Sequence, residues 1–206
     1  DIAWQTAFFH DDVNGFVHLM GKPANADQAW GHQRYTVASS TWKLMGSGMW
    51  NNPGHIYGNF TMDYATGDIF QGRGGWDKSG ADAYRRIRWW RHASGSWGLA
   101  PTARDLVAPS IAMVTHLNGV VWHPNLYGPG DGGLVVDSQF RTMFWRKSTD
   151  SVEEWQHSGS TSGGKEGAGV YWPKQDAAYV GGSDGEQLLK ITPNGGNRPI
   201  VTAVGV

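Results

Sequence analysis

A hairpin recurring roughly every 50 residues constrains this chain more than any other feature, because repeats of that size leave few architectures open. It is plainest in residues 59–75, NFTMDYATGDIFQGRGG. Asp63 can bond nearby backbone amides and Gly67 can take the positive φ that tight turns need. On either side, Phe60-Thr61-Met62 and Asp68-Ile69-Phe70 supply the aromatic and β-branched residues of half-buried strands.

The same order, a hairpin, a loop and a strand closed by tryptophan, repeats along the chain. The first unit has Asn14-Gly15 at its turn, alternation through residues 16–21, and a strand ending on Trp42. The second follows its hairpin with residues 84–92 and ends on Trp97; the third runs from Gly119 through a Gly/Pro-rich excursion to Trp155. A shorter fourth begins at Gly169. Approximate unit boundaries are 1–52, 53–109, 110–166 and 167–206. Aligned, they place His10, Met62, His123 and Trp172 in one column and Asp11, Asp63, Pro124 and Pro173 in the next, with Gly15, Gly67 and Ala177 further on. No convincing stretch has helical period, and the best candidate, residues 100–112, is interrupted by Pro101 and Pro109. Residues 198–206 read as one further strand, completing the first unit or beginning a fifth.

Composition agrees with this pattern. Of 206 residues, 30 are Gly and 12 are Trp, while charged residues make up 17%, so short strands joined by tight turns are favoured over helices. A net charge of -1 gives no electrostatic footprint for nucleic acid. The sequence contains no apolar run long enough to span a bilayer as a helix. With no cysteine, disulfides, thiolate metal sites and cysteine nucleophiles are excluded.

The arrangement in which an aromatic or His-Pro element precedes a turn, then Val-Gly-Gly or an equivalent, then a basic-aromatic strand ending on Trp, resembles the Kelch or galactose-oxidase-like propeller repeat. VYWPKQDAAYVGGSDGEQLLKI and NFTMDYATGDIFQGRGG carry it best. The first unit departs with Met20-Gly21, and the third with Val135-Val136, where the Gly-Gly would fall. The resemblance implies an all-β, β-propeller-like fold of about four blade-like repeats, either a closed four-bladed ring or part of a larger propeller. A four-bladed hemopexin-like ring matches the length, but the cysteines that staple it are missing. A copper centre of the galactose-oxidase type needs a cysteine this chain lacks, and the boxes of sialidase and quinoprotein propellers are incomplete.

Candidate chemistry is thin. Asp11, Asp12, Asp63, Asp131 and Asp176 fall at expected turns and could converge as acids or metal ligands, although capping each turn is the simpler role. The histidines, His10, His55, His116, His123 and His157 among them, show no metal-ligand spacing. Trp42, Trp97 and Trp155 end repeated strands and are expected to wedge between blades. Trp50, Trp76, Trp89, Trp90 and Trp122, with Tyr127, are the ligand or interface candidates, each weighed against core packing. The run around Arg86, Arg88 and Trp90 reads as a solvated strand face or an edge guarded by charge. The loop containing Trp76 is the first place to look for a contact surface.

These features favour a non-catalytic interaction module, without cofactor or metal, contacting protein subunits of a larger assembly or a surface glycan. Resemblance to propellers of phage particle and bacterial surface proteins implies a virion-associated or extracellular setting. The alternatives are a secreted glycoside hydrolase using turn carboxylates, and a quinone- or metal-dependent oxidoreductase.

Overall fold

The computed structural model describes residues 6–21, 31–45, 60–72, 86–98, 106–107, 119–138, 141–156, 168–181 and 188–204. They form four antiparallel sheets, each built from consecutive strands. The first holds β1 (Thr6–Asp11), β2 (Phe16–Gly21), β3 (Gly31–Thr36) and β4 (Thr41–Leu44) in that order. The second holds β5 (Phe60–Asp63), β6 (Asp68–Gly72), β7 (Arg86–Arg91) and β8 (Ser96–Trp97). Its fourth position is shared: β8 pairs with one end of β7 and β9 (Leu106–Val107) with the other. The third sheet runs β10 (Val120–His123), β11 (Gly133–Ser138), β12 (Arg141–Arg146) and β13 (Ser151–Gln156). The fourth runs β14 (Ala168–Trp172), β15 (Ala177–Gly181), β16 (Leu188–Asn194) and β17 (Asn197–Val204). The C-terminal strand therefore completes the fourth sheet, and neither the first sheet nor a fifth takes it.

Alternation sends one set of side chains from each sheet forward to the next and the other set back to the previous one. Three apolar cores result. Met20 of the first sheet meets Met62, Ile69, Trp90 and Trp97 of the second. Phe70, Ile87 and Trp89 of the second meet Trp122, Leu134, Met143 and Trp145 of the third. Val121, Val135 and Phe144 of the third meet Ala178, Val180, Leu189 and Ile191 of the fourth. Among the described residues no such cluster joins the fourth sheet to the first.

Strand pairing shifts the repeat alignment by one residue in two units. The last pairs closing the first hairpins are Asp11 with Phe16, Asp63 with Asp68, His123 with Gly133 and Trp172 with Ala177. Asp11 and Asp63 thus correspond to His123 and Trp172, and not to Pro124 and Pro173. The reason lies in the turn. Gly15 and Gly67 take φ of 71° and 77°, and in the fourth unit the left-handed residue is Asp176, at 45°, rather than Ala177. An aspartate tolerates this conformation, so the sequence shows no glycine to mark it.

The turns between third and fourth strands also repeat. Hydroxyl pairs Ser39 with Thr41, Ser94 with Ser96 and Thr149 with Ser151 hydrogen-bond at 2.7, 2.9 and 2.7 Å in the first three sheets. Ser40, Gly95 and Asp150 all take positive φ there.

Two expectations about strand faces change. β7 is no edge, because β6 pairs with one side of it and β8 and β9 with the other; Trp90 on it is fully buried. Of the three strand-ending tryptophans, Trp97 is 3% exposed and Trp155 packs against the third core, but Trp42 is 53% exposed. The sheet carrying Trp42 has no described neighbour on that side.

Candidate functional site

The first strands of adjacent sheets lie against one another, β5 on β10 and β10 on β14. The candidate site lies along these first strands. A cavity of about 440 Å³ is lined by Phe9 of β1, by β5, by Val120, Val121 and Trp122 of β10, and by Gly169, Val170 and Tyr171 of β14. All four first strands contribute. Its volume lies within the range of small-molecule sites, which are mostly apolar with a few placed polar groups. Here the apolar walls include Phe9, Trp122 and Val170, while Thr61, Asp63 and the half-exposed Tyr64 supply polarity.

Close approach of β14 to β10 needs a residue without a side chain. A Cβ on Gly169 would lie 2.2 Å from Val121 Cγ2 and 3.1 Å from Val180 Cγ1. Gly169→Ala is therefore expected to lower unfolding free energy by about 1–3 kcal/mol, as overpacking does. Chemical denaturation measures it, and an unchanged midpoint would show that the strands can part without loss.

A polar belt surrounds one end of the sheets, where the first-to-second and third-to-fourth strand turns both lie. Asp63 Oδ1 accepts from the Ala65 amide at 3.0 Å, and its Oδ2 accepts from Thr66 Oγ1 at 2.9 Å. Asp63 thus caps its own turn. The same Oδ2 meets Lys147 Nζ, from the third sheet, at 2.8 Å; that ammonium also reaches Asp68 Oδ2 at 3.1 Å. Lys147 stands 5.2 Å from the Trp122 ring centroid and 5.8 Å from that of Trp89, close enough for cation–π attraction.

Asp11 likewise accepts from the Asn14 amide and side chain. Asp131 belongs to Arg146, whose Nε donates to it at 2.8 Å, and to Ser148 Oγ. Desolvation pushes the Asp131 carboxyl upward, but the hydrogen bonds from Arg146 and Ser148 outweigh it and hold the group below the usual range. Asp176 accepts from Tyr171 Oη at 2.8 Å and Asn125 Nδ2 at 3.1 Å. Burial first, and then that bond to Asp176, push the Tyr171 phenol up to about 12. The exposed Asp12 pairs with His10 at 3.0 Å. Each candidate carboxylate is thus already bonded to neighbouring donors. No group of three or more acidic or histidine side chains among the described residues is arranged to hold a metal.

The described aromatic candidates, Trp89, Trp90, Trp122 and Tyr127, are not solvent-facing. Trp90 is fully buried, and Trp89, Trp122 and Tyr127 are nearly so. Phe70 stacks on Trp122 at 5.5 Å, and Trp89 meets Trp145 edge-on at 5.3 Å. Burial also raises the Tyr127 phenol well above its ordinary value. Of this group Trp122 reaches the cavity, as part of its wall. Trp50 and Trp76, with the loop around Trp76, lie outside the described residues, as do His55, His116 and His157.

Sequence reasoning missed a buried histidine pair. His18 Nδ1 and His32 Nε2 are 2.8 Å apart, and Asp11 Oδ2 lies 3.6 Å from His18 Nε2. Burial lowers the pKa of His18 to about 4 and that of His32 to about 3. Alternation could have revealed it, since His18 shares a strand face with Met20 and Met20 pairs with His32.

No family model and no curated protein matches this sequence. Among solved structures, the chain is similar to an auxiliary nutrient binding protein from Bacteroides ovatus ATCC 8483, with a TM-score of 0.54 and 14% identity over 98% of this chain. The likeness is one of fold. The present chain spans 42% of that longer protein. Among the described residues no helix is long and apolar enough to cross a membrane.

Proposed function

We propose that this chain is a non-catalytic binding module, its four sheets standing as Kelch-like propeller blades around the inner cavity, and that the cavity takes a glycan. The observation that carries this reading is the cavity itself, walled by all four first strands and lined with aromatic and aliphatic side chains. An inner-strand cavity is where blade-built folds leave space. Tyr64, 56% exposed and lining the cavity, would stack on a sugar ring in this reading. The nutrient-binding role named for the Bacteroides ovatus protein supports the binding part of this reading, and an extracellular or cell-surface setting is proposed with it.

Glycoside hydrolysis is the weaker alternative. It generally needs two carboxyl groups roughly 5–10 Å apart flanking the scissile bond. Among the described residues Asp63 is the carboxylate lining the cavity, and Lys147, Thr66 and the Ala65 amide already occupy it.

A glycan array followed by calorimetry on the retained oligosaccharide tests the proposal. Tyr64→Ala is expected to weaken binding about tenfold, the usual consequence of truncating an aromatic anchor. Ala65→Trp, at an exposed turn position lining the cavity, should abolish binding while leaving the fold intact. Retention of no glycan, or release of reducing sugar from one, sinks the reading.

A further inference from the structure

The three inter-sheet cores use equivalent rows of side chains, which shows what the outermost sheets lack. On the backward face of the second sheet the row is Met62, Ile69, Trp90 and Trp97; on the third it is Trp122, Leu134, Trp145 and Val152. On the fourth it is Tyr171, Ala178, Ile191 and Val201. Each packs against the forward face of the preceding sheet. The corresponding row of the first sheet is His10, Val17, Tyr35 and Trp42, flanked by Phe8, Leu19 and Leu44. Apart from His10 and, in the flanking row, Gln33, these side chains are apolar, yet Phe8 is 63%, Trp42 53% and Leu44 66% exposed.

The other end is complementary. The forward face of the fourth sheet presents Val170, Trp172 and Ile200, 54%, 49% and 48% exposed, around Tyr179 and Lys190. One forward face and one backward face are therefore left over. They are of the two kinds that pair at every internal junction.

We infer that a second copy of this chain docks here, the fourth sheet of one copy packing on the first sheet of the other as a fourth internal-type junction. Continuity with the three existing junctions specifies the partner, because a sheet bearing these rows is what the first sheet's open face would receive next. The contact is heterologous; related by a half-turn, two copies make it twice and close, whereas a smaller rotation would extend it to a larger ring or a filament. Isolated apolar residues on a surface need no explanation, but rows of them on a sheet face mark an interaction surface.

Sedimentation analysis of the wild-type chain at about 100 μM, a concentration that populates even weak specific dimers, is expected to give twice the 22.5 kDa chain mass. Trp42→Glu and Trp172→Glu, each on an exposed face away from the internal cores, should separately yield monomers with unchanged circular dichroism. Mixing these two variants should restore association, because one copy retains a sound fourth-sheet face and the other a sound first-sheet face. A monomeric wild type overturns the inference, as does retention of dimer by either variant. Failure of the mixture to associate overturns the head-to-tail pairing. Trp42 does not line the cavity, so glycan binding by the Trp42→Glu monomer tests the cavity reading separately from the association.

Discussion

Replacing Lys147 by methionine is expected to destabilise the protein by about 3 kcal/mol, the low end of what removal of one partner from a buried ion pair costs. The low end applies because Lys147 is 23% exposed, whereas Asp63 and Asp68 are 5% and 6% exposed. Without the ammonium, two nearly buried carboxylates on one sheet face each other across adjacent strands, since Asp63 and Asp68 are direct register partners. Like charges opposite one another destabilise a sheet. Asp68 Oδ1 keeps its bond from the His92 amide and Asp63 Oδ1 that from the Ala65 amide, so the turns persist while the charge is unbalanced. The denaturant midpoint reports the loss. Adding Asp63→Asn and Asp68→Asn to Lys147→Met should recover most of it, because the carboxylates then no longer need a cation. If the triple variant is no more stable than the single one, lost packing of the lysine stem on Trp89 and Trp122 is the cause instead.

Lys147 also marks where the sequence stops being readable. The hairpins are legible because turn chemistry is local: Asp11 with Gly15, and Asp63 with Gly67, carry their own instructions. Strand faces are legible through alternation, which puts Trp90 with Trp97 and Trp122 with Leu134. The ion pairs from Lys147 join residues 84 and 79 positions apart, and no periodicity encodes them. Asp63 looks like a turn residue from sequence because it is one. Its second role depends on where the third sheet falls.

Exposure is less readable still. Trp42 and Trp97 occupy the same place in equivalent rows, and one is half-exposed while the other is buried, because only the second sheet has a described neighbour on that side. A side chain's environment in stacked sheets belongs to the pair of sheets, and a sequence motif describes only one. The candidate cavity has the same origin. Phe9, Thr61, Trp122 and Val170 are unremarkable strand residues until four first strands are gathered.

Acidification from pH 7.5 to pH 5 should remove about 4 kcal/mol of stability through His18 and His32 together. Both have folded-state pKa values below the ordinary imidazole value of 6.5, about 4 and about 3, with burial the largest cause. The unfolded chain therefore takes up protons near 6.5 that the folded chain refuses, and stability falls as pH drops below that value. At pH 5 each histidine contributes roughly 2 kcal/mol of this loss, and above 6.5 the full stability is present. Geometry explains why the pair stays neutral. Asp11 facing His18 Nε2 favours a proton on that nitrogen, so His18 Nδ1 accepts from His32 Nε2–H. His32 Nδ1 is then a lone pair without a hydrogen-bond partner among the described residues, with the ring set edge-to-face against Trp90 and Trp97. Protonating either ring places a cation beside the other, and Arg34 further opposes it in both; His92 adds to the opposition at His18, where Asp11 only partly compensates. Urea titrations across this range measure the slope. In His32→Leu the slope should fall by about half, because His18 still resists protonation by burial but no longer has a second imidazole beside it. An unchanged slope in that variant would place the acid sensitivity elsewhere, whereas a slope near zero would mean that the two rings titrate as one unit.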